Sequence, residues 1–331
     1  MSEDTGSTCR VCGNATNNTR YQVREMLHGT REPFSYFQCG ACGCLQIESV
    51  PEDLARHYPA DYQAYKDYHR RARNRLRRFI DSRRVRYELT GQGMFGRMMT
   101  GIAPPLDYVH WCRQMGLTQA SRILDVGCGN GKLITRMLAG GFSHLRGIDL
   151  FIDRDISFPP QAIIYKTDLP RYLKTSPGQF DLVMLHHSFE HMDNPREVLN
   201  WCSQLIADDG WLLIRVPLAD SQAWEQYREN WFALDPPRHL YLHTSASMSI
   251  LAGQCGFKIV REERDAAASQ FVQSEWYVRD IPANAPKENR ALFSSEQIRE
   301  FDALSRQLNE SGKGDQGAFF LKKARASDER A

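Results

Sequence analysis

Arg122-Ile-Leu-Asp-Val-Gly-Cys-Gly-Asn-Gly-Lys132 sets a short apolar run, an acid and three alternate glycines within eleven residues. Ile123 to Val126 predict a buried strand running into a turn. Gly127, Gly129 and Gly131 let backbone approach a ligand where side chains would stand in the way. Lys132 to Ala139 then predict a helix whose N-terminus faces that ligand. A dinucleotide fingerprint requires a third glycine where Lys132 stands, and Asp125 would repel a nearby pyrophosphate. A ligand carrying cationic groups and a carboxylate fits better: the acid attracts the cations and the helix N-terminus the carboxylate.

Further strands follow in order. Leu145 to Leu150 contains Asp149, Ile163 to Leu169 contains Asp168, Phe180 to Leu185 runs into His186-His-Ser-Phe-Glu-His191, and Gly210 to Pro217 is the fifth. Strands alternating with helical stretches predict a parallel sheet with ligands at its carboxyl ends. This series resembles the class I S-adenosylmethionine-dependent methyltransferases. The resemblance implies a Rossmann-like, seven-stranded α/β sheet with Phe257 to Val260 and Gly317 to Lys322 as its last two strands. It implies cofactor contacts at Asp125, Gly127, Cys128, Gly129, Gly131, Asp149, Leu150, Asp168, Leu169 and His186. Asp149 would hold both ribose hydroxyls, each charge-assisted bond contributing roughly 1.5–3 kcal/mol, and Asp168 the adenine amine. Read without the resemblance, both acids are also ordinary residues of a turn after a strand.

Two Cys-x-x-Cys-Gly knuckles, Cys9 to Gly13 and Cys39 to Gly43, have zinc-ribbon spacing. Each puts two thiolates on one tight turn, so Cys9, Cys12, Cys39 and Cys42 form a four-sulfur set that leaves no open catalytic position; a structural zinc is expected. So small a module buries little apolar surface, and metal binding of roughly 10–16 kcal/mol can supply its folding energy. Cys44 is a spare thiol. Together with the core, the ribbon resembles methyltransferases of bacterial sugar and surface-polysaccharide pathways, as do Leu45 to Pro51, His57 to Tyr62, Asp235-Pro-Pro-Arg-His-Leu-Tyr241 and Gly312 to Gly317.

The 331 residues, 42% of them apolar, suffice for about two domains with a sizeable core. A net charge of +2 gives no global field for polyanions, so nucleic acid is disfavoured as a partner. Met1 to Ser7 is polar and no apolar run approaches ~18 residues, so a cytoplasmic location is expected. Nine cysteines in such a chain speak for metal binding and not for a disulfide framework.

The expected organisation is a zinc-ribbon-like module over 1–50, a basic helical linker over 51–101, a methyltransferase domain over 102–323 and a frayed tail over 324–331. Nine arginines lie between Lys66 and Leu89, with Tyr68, Ala72, Leu76, Phe79 and Ile80 at helical spacing. They predict an amphipathic helix with a basic face, either a solvated connector or a contact for an anionic membrane. Gly91 to Gly101 reads as a flexible connection near the cofactor cleft. The aromatic-rich insertion 218–244 is expected to form a substrate lid, and Ser294 with Gln297 a capping box.

Methyl transfer from a sulfonium is an in-line displacement in which orientation supplies ~7–11 kcal/mol. The protein must add a base, and His187, just past the fourth strand, and His239 are the candidates, with Arg238 available for a phosphate or carboxylate. Either histidine also fits a packing role. His187 to His191 matches a His-x-x-Glu-His metal pattern, but that pattern needs a helix and here begins at a strand end. The expected function is methylation of a small molecule or glycan-pathway intermediate, a nucleotide-sugar or lipid-linked saccharide. The alternatives are a zinc-ribbon RNA methyltransferase and a non-catalytic assembly factor. The acceptor atom and oligomeric state stay open.

Overall fold

The computed structural model describes residues 7–58, 75–101, 106–175 and 178–324. Its strands are β1 (Thr19–Arg24), β2 (Pro33–Gln38), β3 (Leu45–Ile47), β4 (Arg122–Val126), β5 (His144–Asp149), β6 (Ile156–Phe158), β7 (Ala162–Lys166), β8 (Phe180–His186), β9 (Ile206–Pro217), β10 (Tyr241–Leu242), β11 (Phe257–Arg264) and β12 (Gln316–Lys323). The chain divides into two compact units. One comprises Met1–Tyr58, Phe189–Arg196 and Ile214–Ala331, the other Pro59–Ser188 and Glu197–Leu213.

The second unit carries strands in the order β9-β8-β4-β5-β7-β6. Leu124 pairs in parallel with Arg146 on one side and Val183 on the other, and Ile148 in parallel with Tyr165. Buried Ile123, Leu124, Leu182, Val183 and Leu185 explain why these strands read as continuous apolar runs. The sheet gains a short antiparallel edge strand, β6, that the sequence did not announce, making it mixed. Helix Lys132–Ala139 buries Leu133, Ile134, Met137 and Leu138, an i, i+1, i+4, i+5 stripe, each contributing roughly 1.5–3 kcal/mol.

The basic helix is described from Arg75; residues 66–74, including Tyr68 and Ala72, lie outside the described residues. Helix Arg75–Thr90 keeps most of its arginines exposed but does not bury the expected apolar stripe: Asp81, Arg84 and Val85 are its buried residues, while Leu76 and Phe79 are exposed. Its buried side meets Gly140 and Gly141, whose missing side chains leave room for Val85 and Ser82. The expected flexible connection after it contains a second helix, Met94–Thr100. Most of the expected tail, 325–331, lies outside the described residues.

In the first unit β1, β2 and β3 form an antiparallel sheet whose fourth strand is β10, with Leu242 opposite Leu45. That strand comes from within the 218–244 insertion, whose aromatics are interior: Trp224, Trp231 and Tyr241 are each at most 1% exposed. Trp231 Nε1 donates to Asp315 Oδ2 at 2.9 Å, so these three rings are core side chains of this unit. The end of β9 continues here beside β12, which pairs antiparallel with β11. Ser294 and Gln297 make both bonds of the expected capping box at the start of helix Ser295–Glu310.

Candidate active site

In the second unit the strand ends bring the expected cofactor residues onto one edge of the sheet. Gly127 and Gly131 have φ of +73° and +79°, a region nearly closed to residues with a Cβ. A Cβ on Gly127 would lie 2.5 Å from Ser188 Cβ, and one on Gly131 would collide with Ile164 Cδ1. Asp149 shapes the loop directly: its Oδ2 accepts from the Gly129 amide at 2.8 Å and its Oδ1 from the Phe151 amide at 2.9 Å. Cys128 sits in the loop beside Gly147 of β5, while Leu150 is 43% exposed just past Asp149.

Asp125 is 2% exposed, and its Oδ1 has no hydrogen-bond partner among the described residues. Burial, and then the charge of Asp149, push its carboxyl up to about 8. A buried, uncompensated acid is costly unless a ligand completes it. Asp168 accepts from the Arg171 amide at 2.8 Å at the start of helix Leu169–Thr175, so it serves at least as the N-terminal acid of that helix. Leu169 is buried.

His186 ends β8 with its ring 5.3 Å from that of Trp111, and His187 follows with φ +54°. Positive φ in a non-glycine residue is uncommon and gathers at functional positions. Ser188, which nothing in the sequence singled out, donates to the Val126 carbonyl at 2.6 Å and ties the end of β8 to the end of β4. Phe189–His191 is a single 3-10 turn, so the His-x-x-Glu-His string lacks the helix that pattern requires.

His239 belongs to the first unit. Its Nδ1 lies 2.7 Å from the Ala233 carbonyl, which can only accept, so Nδ1 carries a proton. That Nε2 stands 3.9 Å from both Glu190 Oε1 and Asp235 Oδ2. His191 Nδ1 likewise lies 2.9 Å from the Arg238 carbonyl, and burial, then His239, push its pKa down to about 4. One ligand atom each from Glu190, His191 and His239 falls within 4.8 Å of the others. Arg238 departs from expectation. It is fully buried and bound to Glu25 Oε1 at 2.7 Å, Asp235 Oδ1 at 2.5 Å and the His57 carbonyl, which leaves it no reach for a substrate anion.

The four knuckle cysteines converge as their spacing predicts. Cys9 and Cys42 sulfurs are 3.7 Å apart, those of Cys12 and Cys39 3.5 Å, and all four lie within 4.8 Å of one another. These separations exceed a disulfide's ~2.05 Å and match the ~3.8 Å edge of a tetrahedron with ~2.3 Å metal–sulfur bonds. The knuckles repeat one geometry: Gly13 and Gly43 have φ of +79° and +72°, and each donates to the carbonyl of Cys9 or Cys39 at 2.9 Å. Gln46 Nε2 lies 2.9 Å from Cys9 Sγ, an outer support of the kind metal thiolates have. Cys44 is fully buried near His243 and outside the set.

A family model described as "Methyltransferase domain" matches residues 68–262, more than half of the chain. The chain belongs to that family of methyltransferase domains. It is 27% identical over 104 residues to a ubiquinone biosynthesis O-methyltransferase of Glaesserella parasuis serovar 5, covering 28% of this chain and 44% of that protein. It is 30% identical over 110 residues to the enzyme of the same name in Dechloromonas aromatica, covering 31% and 47%. The chain thus spans less than half the length of these relatives. A crystal structure of a SAM-dependent methyltransferase from Archaeoglobus fulgidus superposes over 65% of this chain and 99% of that one, with 19% identity and a TM-score of 0.38.

Proposed function

We propose that this protein transfers the methyl group of S-adenosylmethionine to a small molecule or glycan-pathway intermediate, a nucleotide-sugar or a lipid-linked saccharide, in the cytoplasm. The observation that carries the reading is Asp125, a buried acid with a partnerless oxygen beside a glycine loop. Asp125 and Asp149 would hold the donor's cationic end and ribose, Gly127 to Gly131 would admit its carboxylate to the N-terminus of helix Lys132–Ala139, and Asp168 with Leu150, Leu169 and His186 would frame its adenine. The bound donor supplies a sulfonium-activated methyl group. His187, held at the end of β8 by its left-handed backbone, would take the acceptor's proton on an imidazole nitrogen. His239 is the second candidate for that proton. The similarity to O-methyltransferases of a small-molecule pathway favours a small acceptor over RNA.

The four thiolates fit a structural zinc, which would tie β1–β3 together without entering the chemistry. Metal analysis should find one zinc per chain, and its removal by a chelator should lower the unfolding temperature while Cys39→Ser abolishes the binding. The function itself is tested by incubating the protein with methyl-labelled donor and separate pools of nucleotide-sugars, lipid-linked glycans, small phenols and RNA. Label in a small-molecule pool is expected. Label in RNA alone, or no donor binding by calorimetry, would refute it.

A further inference from the structure

The helical pair Arg75–Thr90 and Met94–Thr100 buries a small ion network and leaves apolar side chains exposed among its arginines. On the buried side Arg84, 4% exposed, lies 4.0 Å from Asp81 and 3.6 Å from Glu88. The exposed side carries Leu76 (71%), Phe79 (52%), Met94 (89%) and Met98 (57%), with Phe95 at 40%. Five of the twelve exposed large apolar residues among those described thus fall within 27 positions. Isolated exposed apolar residues are ordinary, but a cluster marks an interaction surface. Its construction is rigid: a Cβ on Gly96 would run into the Arg83 carbonyl, so glycine there lets the helices touch, and the Phe79 and Phe95 rings meet at 5.8 Å.

The charge on this surface has one sign. Residues 75–101 hold seven arginines against two acids, and both acids are turned toward Arg84. Arg75, Arg83, Arg86 and Arg97 form no ion pair among the described residues, and Arg83 lies over the Phe79 ring at 5.3 Å. Apolar side chains that project among arginines match a bilayer interface: rings and methionines enter the acyl boundary while guanidinium groups stay with anionic headgroups. The pair packs where Gly140 and Gly141 follow helix Lys132–Ala139, at the opposite end from the glycine loop. A membrane there would leave the loop clear.

We propose that the hairpin formed by residues 75–101 docks this protein on an anionic lipid surface. The inference is independent of which molecule accepts the methyl group. It is tested by co-sedimentation of the full chain with vesicles of phosphatidylcholine, with or without about 30% phosphatidylglycerol. Binding should require the anionic lipid and weaken with salt. Arg83→Gln with Arg86→Gln should lower partitioning about 25-fold, at about five-fold per arginine. Phe79→Ser with Met94→Ser should lower it at least about ten-fold, while donor affinity by calorimetry stays that of the unaltered chain. All four sites are exposed, and the lipid dependence of the unaltered protein decides the matter even if a variant misfolds. No binding to anionic vesicles overturns the proposal. So does vesicle binding indifferent to the apolar pair, retention by RNA without vesicle binding, or a dimer that Met94→Ser dissociates in a protein that ignores vesicles.

Discussion

Asp125 should make donor binding release a proton. With its carboxyl raised to about 8, roughly nine chains in ten hold it protonated at pH 7. A cation at the loop favours the carboxylate, so binding at pH 7 should expel close to one proton. Affinity then follows the ionised fraction, about 1% at pH 6 and about 9% at pH 7, a gain near nine-fold or about 1.3 kcal/mol. The donor's α-amino group titrates near ~7.7–8.0, so the window from pH 6 to 7 isolates the protein's contribution. Calorimetry in two buffers of different ionisation enthalpy measures the proton directly, and Asp125→Asn should abolish both proton and slope. A dissociation constant that stays level from pH 6 to 7, or a slope that survives in Asp125→Asn, refutes the reasoning. The same shift has a sign for the free chain. A carboxyl raised on folding supports stability at low pH and loses it as pH climbs toward 8, by up to about 1.4 kcal/mol per pH unit.

Other outcomes follow from other parts of the molecule. His187→Gly, tolerated by a φ of +54°, should lower turnover about 10²–10⁴-fold with donor affinity nearly unchanged, which single-turnover assays and calorimetry will separate. Arg238→Ala strands buried Glu25 and partly buried Asp235 and should cost about 3–5 kcal/mol in urea unfolding; a loss below about 1 kcal/mol would show the pair to be incidental. His243, stacked between Phe189 and Tyr241, is pushed down to about 4, first by burial. A histidine depressed on folding keeps its stability above ~6.5 and loses about 3 kcal/mol as pH falls from there to about 4. His243→Phe should flatten that part of the pH–stability curve.

Strand ends were legible because a strand buried on both faces writes a continuous apolar run, and the acid or glycine that stops it marks its carboxyl end. Helix Lys132–Ala139 has the bounds its sequence predicts, since Gly131 and Gly140 flank a clean apolar stripe. The cysteine spacing foretold one four-sulfur cluster because knuckle geometry is local. Elements of two or three residues were hidden: β6 and β10 carry too little pattern to stand out and exist only through their partners. Equally hidden was the bond from Arg238 to Glu25, 213 positions away, which turned a candidate anion grip into a structural clamp. Helix Arg75–Thr90 misled because an apolar stripe normally marks the inward face, whereas this one buries an ion network.

The strand that closes the cysteine-bearing sheet is contributed by Tyr241–Leu242, nearly two hundred positions after β3. The first fifty residues are therefore not a detachable cassette. A truncation that removes them would strip a neighbour from Tyr241 and Leu242 and bare an apolar edge prone to self-association. Any recombination that exchanged such ribbons between relatives would have to carry the matching pair along, so the heritable unit of exchange is discontinuous in the gene though contiguous in space.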